Sequence, residues 1–338
     1  MHVSAPAPTG ENLRTALAGL LDGLPPRQAA QAVERLIAHY RGQTPTHTPV
    51  LRDRSDVAAY AAYRMPATFE AVRAALEAFR DRLPGWVPAS HADIGGGTGA
   101  ATWAVAAAWP EGGRTTTVLD WAEPALALGA ELARAAHDPA LRAATWHRQA
   151  IGRDLALPAG TDLVTISYVL KELTDADRRS VVDAAAAAAH AVVVVEPGTP
   201  DGHLRITEAR DRLVAAGFRV VAPCPHSAAC PIAPGTDWCH FAARVNRSSL
   251  HRQVKGGSLP YEDEKFSYVA AVRPGAGDAT GEGGRVIRRP QTRKGQVLLD
   301  LCTDGDGLTR ETVTKRHGAL YRAARDTDWG DAWPPPAE

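Results

Sequence analysis

From residue 89 onward, short apolar segments alternate with longer amphipathic ones, and this alternation limits the fold more than any other feature of the sequence. It is typical of parallel strands connected by helical crossovers. The strand-like segments are SHADI, TTTVLD, ATWHRQA, DLVTISYVL, AVVVVEP, FRVVAP and FSYVAAVR. The fifth is almost wholly apolar, as a central parallel strand must be. We therefore expect an α/β domain with a doubly wound parallel sheet.

A glycine-rich turn, DIGGGTG, follows the first strand and precedes a helix. Gly95, Gly97 and Gly99 allow close approach of the backbone to a ligand, and the helix start offers free N–H groups. Asp120 ends the second strand, where a carboxylate can accept hydrogen bonds from both ribose hydroxyls. Dinucleotide-binding folds use a related turn here, and a turn that only packs helix on sheet is the simplest alternative. Together with Asp93 and Asp120, the turn resembles the class I S-adenosyl-L-methionine (SAM) methyltransferases more than a nicotinamide site.

The end of the fourth strand carries no recognisable catalytic motif. Enzymes of this fold that methylate amino groups of nucleic acids usually have Asn or Asp followed by Pro-Pro there, whereas this chain has Ser167-Tyr168-Val169-Leu170. Methylation of cytosine C5 would require a cysteine nucleophile near the methyl donor. The sequence therefore supports a cofactor pocket and assigns no catalytic residue. The candidate cofactor-binding residues are Asp93, Gly95, Gly97, Gly99, Asp120 and Ser167.

The chain has four cysteines, Cys224, Cys230, Cys239 and Cys302. Four thiols are what one tetrahedral metal centre requires, although the CxxC pairs of zinc fingers are absent. Proline follows the first two cysteines and stiffens both turns, and two nearby histidines are alternative ligands. Cysteine is also an ordinary small core residue. Spacing alone therefore leaves a metal site and buried free thiols both open.

Charge and hydropathy narrow the classes of partner and compartment. Lys plus Arg and Asp plus Glu each number 38, so a nucleic acid partner would have to meet a local basic patch. The sequence has neither a long apolar run nor a basic region followed by an apolar stretch at its start, so we expect no membrane span and no secretory signal. We expect a cytoplasmic monomer. In that compartment a metal explains four cysteines better than disulfides do.

The sequence pattern divides the chain into segments of different character. Apolar residues at helical spacing, strongest from Phe69 to Leu83, predict a helical domain before the sheet. The cysteine-bearing segment is too long for an unstructured loop, so we interpret it as an ordered insertion between the last two strands. The predicted segments are 1–12, a disordered N-terminus; 13–88, a helical domain; 89–222, a SAM-binding core; 223–265, a cysteine-rich metal insertion; 266–273, the last core strand; 274–284, a glycine-rich linker; and 285–338, a basic antiparallel β addition with a loose tail.

Several long strings together resemble one protein family. They are CPH and CP at the first two cysteines, DWCHF around the third, YEDEKFSY before the last strand, and the tail string RRPQTRKGQVLLDLC. The strings YRMPAT, DIGGGTG, VLKEL and VEPGTP match as well. Over roughly residues 60–330, the chain resembles the methyltransferase-like family of mitochondrial small ribosomal subunit assembly factors and their bacterial relatives.

The resemblance implies a [4Fe-4S] cluster held by four cysteines, whose counterparts by motif are Cys224, Cys230, Cys239 and Cys302. It also implies a SAM-type fold and binding to small-subunit ribosomal RNA during assembly. An all-thiolate zinc site would need the same residues, so zinc is the alternative metal. Because Cys302 lies far along the chain from the other three, one centre would tie the inserted segment to the tail.

A metal centre of this kind would place basic side chains from two segments on one face. A rigid basic surface suits RNA phosphates, whereas scattered arginines are usually ordinary solvated surface. The tail segment carries no acidic residue among its basic ones. The candidate RNA-binding residues are Arg244, Arg247, Arg252, Lys255, Arg288, Arg289, Arg293 and Lys294.

Three functions remain open from the sequence. The first is a ribosome assembly factor that binds small-subunit RNA and uses SAM as a structural or signalling ligand. The second is an active methyltransferase acting on a base nitrogen or ribose oxygen of ribosomal RNA. The third is a small-molecule methyltransferase with a structural zinc, which predicts no salt-sensitive RNA affinity. The missing Pro-Pro motif favours the first.

Overall fold

A computed structural model describes residues 9–20, a few positions between 27 and 34, and residues 54–110, 113–249, 252, 259–277 and 283–335. The predicted disordered N-terminus up to position 8 lies outside the described residues, as does the candidate RNA-binding residue Lys255. The N-terminal helices are α1 (Thr9–Leu20) and α2 (Arg54–Arg82). Helix α2 contains nearly all of the helix predicted from Phe69 to Leu83.

Eight strands form the central sheet within the described residues. They are β1 (Ser90–Ile94), β2 (Thr115–Asp120), β3 (Thr145–Arg148), β4 (Thr161–Ser167), β5 (Ala189–Pro197), β6 (Arg219–Ala222), β7 (Phe241–Asn246) and β8 (Tyr261–Val272). Their order is β3-β2-β1-β4-β5-β8-β6, and β7 extends the sheet by pairing with β8. Strands β1 to β5 pair in parallel. The α/β part of the predicted fold is therefore confirmed.

Strand β8 runs antiparallel to β5, β6 and β7, so the sheet is mixed and the prediction of an all-parallel sheet is wrong at its last strand. The apolar pattern carried no signal of direction, because positions 266–272 of β8 are all buried, as a central strand is in either direction. The dinucleotide-binding order 3-2-1-4-5-6 has no reversed strand. A reversed strand between the fifth and sixth gives the methyltransferase-like arrangement that the resemblance implied.

Helices cover both faces of this sheet. They are α3 (Ala100–Ala108), α4 (Glu123–Arg134), α5 (Pro139–Arg142), α6 (Asp175–Ala188) and α7 (Pro200–Ala215). Threonine side chains begin the last two: Thr174 accepts a hydrogen bond from the N–H of Asp177 at 3.2 Å, and Thr199 accepts one from Gly202 at 3.1 Å. Each satisfies an N–H group that has no partner within its helix.

Alternate residues of β5 enter two separate hydrophobic clusters. Val193 packs in the first cluster with Leu13 of α1, Phe79 of α2 and Trp103 of α3. The neighbouring Val192 packs in the second, which lies under α6 and α7. Burying one such side chain contributes about 1.5–3 kcal/mol. The helices that precede the sheet thus share its core.

A second, smaller sheet follows the first. Its elements are β9 (Gly284–Val286), β10 (Gln291–Arg293), β11 (Gln296–Thr303), β12 (Gly307–Thr314), α8 (Ala319–Asp326) and β13 (Ala332–Trp333). The order is β10-β11-β9-β13, with β12 on β11, and every pairing is antiparallel. Leu299, Val313 and Trp333 lie in a hydrophobic cluster of its own. The predicted antiparallel addition is confirmed.

The segment between β6 and β7, residues 223–240, contains turns without a helix or strand. It carries three of the four cysteines, and the fourth, Cys302, lies on β11 of the second sheet. Contacts among these cysteines would therefore join the segment that follows β6 to the second sheet.

Candidate cofactor turn and cysteine cavity

The glycine turn after β1 requires glycine for two reasons. Gly95, Gly97 and Gly99 have φ angles of 64°, 52° and 87°, in the left-handed region that other residues rarely adopt. A Cβ atom at Gly99 would also lie only 2.6 Å from the ring of Trp146. The turn is therefore a tight, packed platform, and α3 starts immediately behind it.

Asp93 lies beneath the turn and has no solvent exposure. Its carboxylate accepts hydrogen bonds from the hydroxyls of Thr102 at 3.0 Å and Thr165 at 2.8 Å. Burial raises the pKa of Asp93 to about 7, against the two hydroxyl hydrogen bonds, which lower it. Asp93 thus joins α3 and β4 to β1 and supports the turn from below.

Asp120 lies at the carboxyl end of β2 and faces the turn directly. Its carboxylate accepts hydrogen bonds from the N–H groups of Gly97 at 2.9 Å and Ala122 at 2.8 Å. Burial raises the pKa of this carboxyl group, while these backbone N–H groups lower it. The structure therefore brings Asp120 and the glycine turn together, as the sequence predicted.

Ser167 is buried at the end of β4, and the next residue is strained. Tyr168 has a φ of 58°, unusual for a residue other than glycine, and its hydroxyl donates to Glu264 at 3.1 Å. Arg64 of α2 forms an ion pair with the same carboxylate at 3.1 Å and lies 5.7 Å from the centre of the Tyr168 ring. The end of β4, where a catalytic motif would be expected, is thus occupied by the contacts among Arg64, Glu264 and Tyr168. In the sequence, Glu264 stands out only as part of the string YEDEKFSY, and its contacts cannot be predicted there, because it lies on β8, far along the chain from Arg64 and Tyr168.

The strings VLKEL and VEPGTP, which contributed to the resemblance, meet in the structure. The N–H of Leu170 donates to the buried carboxylate of Glu196 at 3.1 Å, and Glu196 also pairs with Arg205 at 2.7 Å. The turn after β4 is thereby fixed to the end of β5.

All four cysteines line one cavity between the two sheets, which we call the cysteine cavity. Its other walls come from α7, β7, β8, β9 and the segment between β6 and β7, and they include His203, Ile206, Arg210, Pro223, Pro231, Ile232, Phe241, Ser267, Tyr268, Arg285 and Ile287. The Cys302 sulfur lies 3.5 Å from Nε2 of the buried His226. Across the described part of the chain, no group of three or more His, Cys, Asp or Glu side chains is placed to hold a metal ion. The predicted metal-binding insertion is therefore observed as a gathering of thiols and not as a formed metal site.

Burial raises the pKa of three of the four thiols, those of Cys224, Cys239 and Cys302. It raises the pKa of Cys302 to about 12, and Cys224 and Cys230 act in the same direction. It raises the pKa of Cys239 well above its usual range, and the neighbouring thiols again add to the effect. The mutual influence of the four groups shows that the cavity places them close to one another.

Three candidate RNA-binding arginines are engaged by carboxylates of the same chain. Arg244 pairs with Asp263 at 2.7 Å, Arg247 pairs with Glu262 at 3.2 Å, and Arg288 pairs with Asp237. Arg252 donates to a backbone carbonyl. Arg289, Arg293 and Lys294 are exposed. The structure therefore divides the predicted basic surface into a paired part and an exposed part.

Two basic residues missed in the sequence join the exposed part. Lys315 and Arg316 are exposed at the end of β12. The N–H of Lys315 donates to the carbonyl of Gly295, in the turn between β10 and β11. We call Arg293, Lys294, Lys315 and Arg316 the basic patch. Only the β11–β12 pairing reveals it, because its halves are far apart along the chain.

The comparison with known families is decisive for this chain. Residues 54–334 match the family model described as mitochondrial small ribosomal subunit Rsm22. The chain belongs to the Rsm22 family. The family predicted from the motifs is thus confirmed, and the match runs from α2 to the last strand of the second sheet.

Individual relatives of the chain are ribosome assembly proteins by name. The human mitochondrial ribosome assembly protein METTL17 is 30% identical over an alignment of 291 residues. The match covers 81% of this chain and 62% of METTL17. The mitochondrial ribosome assembly protein RSM22 of Saccharomyces cerevisiae is 24% identical over an alignment of 179 residues. The match covers 34% of this chain and 28% of the yeast protein. The chain thus spans less than two thirds of each relative.

A solved structure similar to this fold is the glycopeptide N-methyltransferase MtfA in complex with SAM. It is 15% identical, with a TM-score of 0.39, and the match covers 61% of this chain and 95% of MtfA. A likeness this weak carries no functional argument, and the fold assignment depends on the strand order instead.

The expected cytoplasmic location is contradicted by these relatives. METTL17, the yeast RSM22 and two Rsm22-cox11 tandem proteins of Schizosaccharomyces pombe are all named as mitochondrial. The prediction failed because it used only the lack of a secretory pattern and of an apolar run. Among the described residues, no helix has the length and apolar character needed to cross a bilayer.

Replacing Glu264 by Gln should lower the free energy of unfolding by about 2 kcal/mol, because it leaves the partly buried Arg64 without its counter-charge. Glu131→Gln is the matched control: its pair with Arg54 is largely exposed, so the expected loss of unfolding free energy is much smaller. Urea unfolding of both variants measures the difference. Equal losses in the two would contradict the role assigned to Glu264.

Replacing Asp93 by Asn should flatten the pH dependence of stability between about pH 4 and 7. The pKa of Asp93 is about 7 in the folded chain and about 3.9 in an unfolded one. The folded state binds the extra proton in this window, so the free energy of unfolding falls as the pH rises through it. Urea unfolding of wild type and variant across this range measures the contribution. Parallel curves would rule it out.

Proposed function

We propose that this chain is a ribosome assembly factor that binds the RNA of the small ribosomal subunit. Family membership and the names of the relatives support this function. The observation that carries it is the cysteine cavity, where thiols from the core sheet and from the second sheet meet. A centre bound there would hold the basic patch in a fixed position relative to the core, and a rigid basic surface suits RNA phosphates.

The centre that we propose in the cavity is a [4Fe-4S] cluster held by Cys224, Cys230, Cys239 and Cys302. The donor set fits, because all four thiols face one cavity and a thiolate binds each iron. Sulfurs that share one zinc ion lie about 3.8 Å apart, given Zn–S bonds of about 2.3 Å. A cluster spaces them more widely. Zinc would need the same four thiolates and is the alternative centre.

The glycine turn supports a role in binding SAM. We propose that Gly95, Gly97 and Gly99 approach the ligand through their backbone and that Asp120 accepts hydrogen bonds from its ribose. Asp93 holds the turn in place from below, and Ser167 would lie beside the ligand at the end of β4. The bound SAM would supply an activated methyl group.

Methyl transfer to ribosomal RNA is the second candidate function. It is favoured by the backbone strain at Tyr168, since strained residues cluster at functional sites. Against it stands the engagement of the Tyr168 hydroxyl by Glu264, which already holds that hydroxyl in a hydrogen bond. A binding role for SAM therefore agrees better with the geometry.

The RNA contact that we propose uses the basic patch together with Arg289. Its members are exposed, whereas Arg244, Arg247 and Arg288 are paired with carboxylates. Cations that are already paired release fewer counterions from RNA and contribute less affinity. The paired arginines then stabilise β7 and β8, and the patch makes the phosphate contacts.

Cys302→Ser should abolish the cluster and loosen the second sheet, because one lost thiolate opens the centre to solvent. Iron and sulfide analysis after anaerobic purification, together with visible absorbance, measures the loss. Leu308→Ala is the control: Leu308 is opposite Cys302 on β12 and is 45% exposed, so the cluster should remain. Iron and sulfide at the wild-type level in Cys302→Ser would disprove the ligand assignment.

The double variant Lys294→Ala with Lys315→Ala should weaken binding to small-subunit RNA. The negative slope of log affinity against log salt concentration should become less steep by about 2, one for each lost phosphate contact. Arg310→Ala, on the same sheet but paired with Asp300, should leave the slope unchanged. Binding titrations at several salt concentrations measure it. An unchanged slope in the double variant would place the RNA surface elsewhere.

A further inference from the structure

Two buried guanidinium groups share the cysteine cavity with the four thiols. Arg210 on α7 is 3% exposed and Arg285 on β9 is 7% exposed, and both line the cavity. Arg285 is opposite Cys302 in the pairing of β9 with β11, so the two side chains lie on the same face of the sheet. One cation is therefore supplied by a helix of the core sheet and the other by the second sheet, as the cysteines are supplied by both parts.

Carbonyl oxygens supply most of the contacts of these cations. Arg285 donates to the carbonyls of Pro223 at 2.9 Å and Gly330 at 2.6 Å. Arg210 donates to the carbonyls of His226 and Ala228. A carbonyl satisfies an N–H group but does not cancel a charge.

The charge of the two guanidiniums is poorly balanced within the chain. Among the described residues, Asp211 is the one carboxylate in hydrogen-bond contact with either group, and its side chain is 61% exposed. Nε of Arg210 is buried and has no hydrogen-bond partner in the same part of the chain. Buried cations without a buried counter-charge are strongly unfavourable. The cavity therefore has the electrostatic character of an anion site.

We infer that the cavity holds a metal–thiolate centre of net charge −2, and that Arg210 and Arg285 are the fixed cations that neutralise it. The inference rests on the proposed function of the cavity. Four thiolates with an oxidised [4Fe-4S] core carry this charge, and four thiolates on one zinc ion carry the same. The arginines act through charge and do not ligate the metal.

The test compares Arg285→Gln, which removes the charge, with Arg285→Lys, which keeps it. In full-length protein purified anaerobically, Arg285→Gln should shift the reduction potential of the cluster to a more negative value, because net charge helps to set that potential. The variant should also lose metal to a chelator several-fold faster than wild type. Arg285→Lys should stay close to wild type in both measurements.

The metal-free protein should show the opposite trend. Without the anionic centre, Arg285 is a buried cation with no carboxylate partner among the described residues, so Arg285→Gln should unfold at the same urea concentration as wild type or at a higher one. Arg310→Gln, an exposed arginine of the same sheet paired with Asp300, is the matched control and should change none of these quantities.

Several results would overturn the inference. Equal destabilisation of the metal-free and metal-loaded forms by Arg285→Gln would show that the arginine is only structural. Unchanged potential and chelator resistance in a loaded Arg285→Gln variant would remove this inference alone. A wild-type chain that holds neither iron nor zinc would overturn the proposed centre as well. Zinc in place of iron and sulfide would overturn the cluster, while faster zinc loss from Arg285→Gln would support the charge balance.

Discussion

The reversed strand β8 is the element on which both candidate sites depend. Positions 266–272 are buried between β5 and β6, and this burial fixes the direction of the strand and its position along the sheet. Glu264, just before the buried half, reaches Arg64 and Tyr168. Ser267 donates a hydrogen bond to the carbonyl of Cys239 at 2.7 Å. One strand thus sets the end of the cofactor pocket and one wall of the cysteine cavity.

The candidate cofactor site is held rigidly by hydrogen bonds. Asp93 is engaged by two hydroxyls, Asp120 by backbone N–H groups of the turn, and Tyr168 by Glu264. A strained backbone such as that of Tyr168 persists only where its surroundings determine it strongly. Polar groups that are already satisfied hold a ligand in place but exchange protons poorly. This arrangement agrees better with a bound SAM that stabilises the fold than with rapid turnover.

Features encoded by local patterns could be predicted from the sequence, and features created by long-range pairing could not. The glycine turn, Asp120 and the individual strands follow from turn chemistry and apolar periodicity. The direction of β8 is invisible to such patterns, because a buried strand looks the same in either direction. The roles of Glu264 and Lys315 depend on neighbours far along the chain, Tyr168 for Glu264 and Gly295 for Lys315. The four cysteines were recognised from their motifs, but their common cavity depends on how the two sheets are joined.

The short last strand, β13, has a consequence for the order of events during synthesis. Residues 332 and 333 pair with β9, and the carbonyl of Gly330 accepts a hydrogen bond from Arg285. Because β9 also pairs with the strand that carries Cys302, both sides of β9 are paired only after residue 333 has been synthesised. The β9 wall of the cysteine cavity therefore forms later than the core sheet, whose last strand ends at Val272.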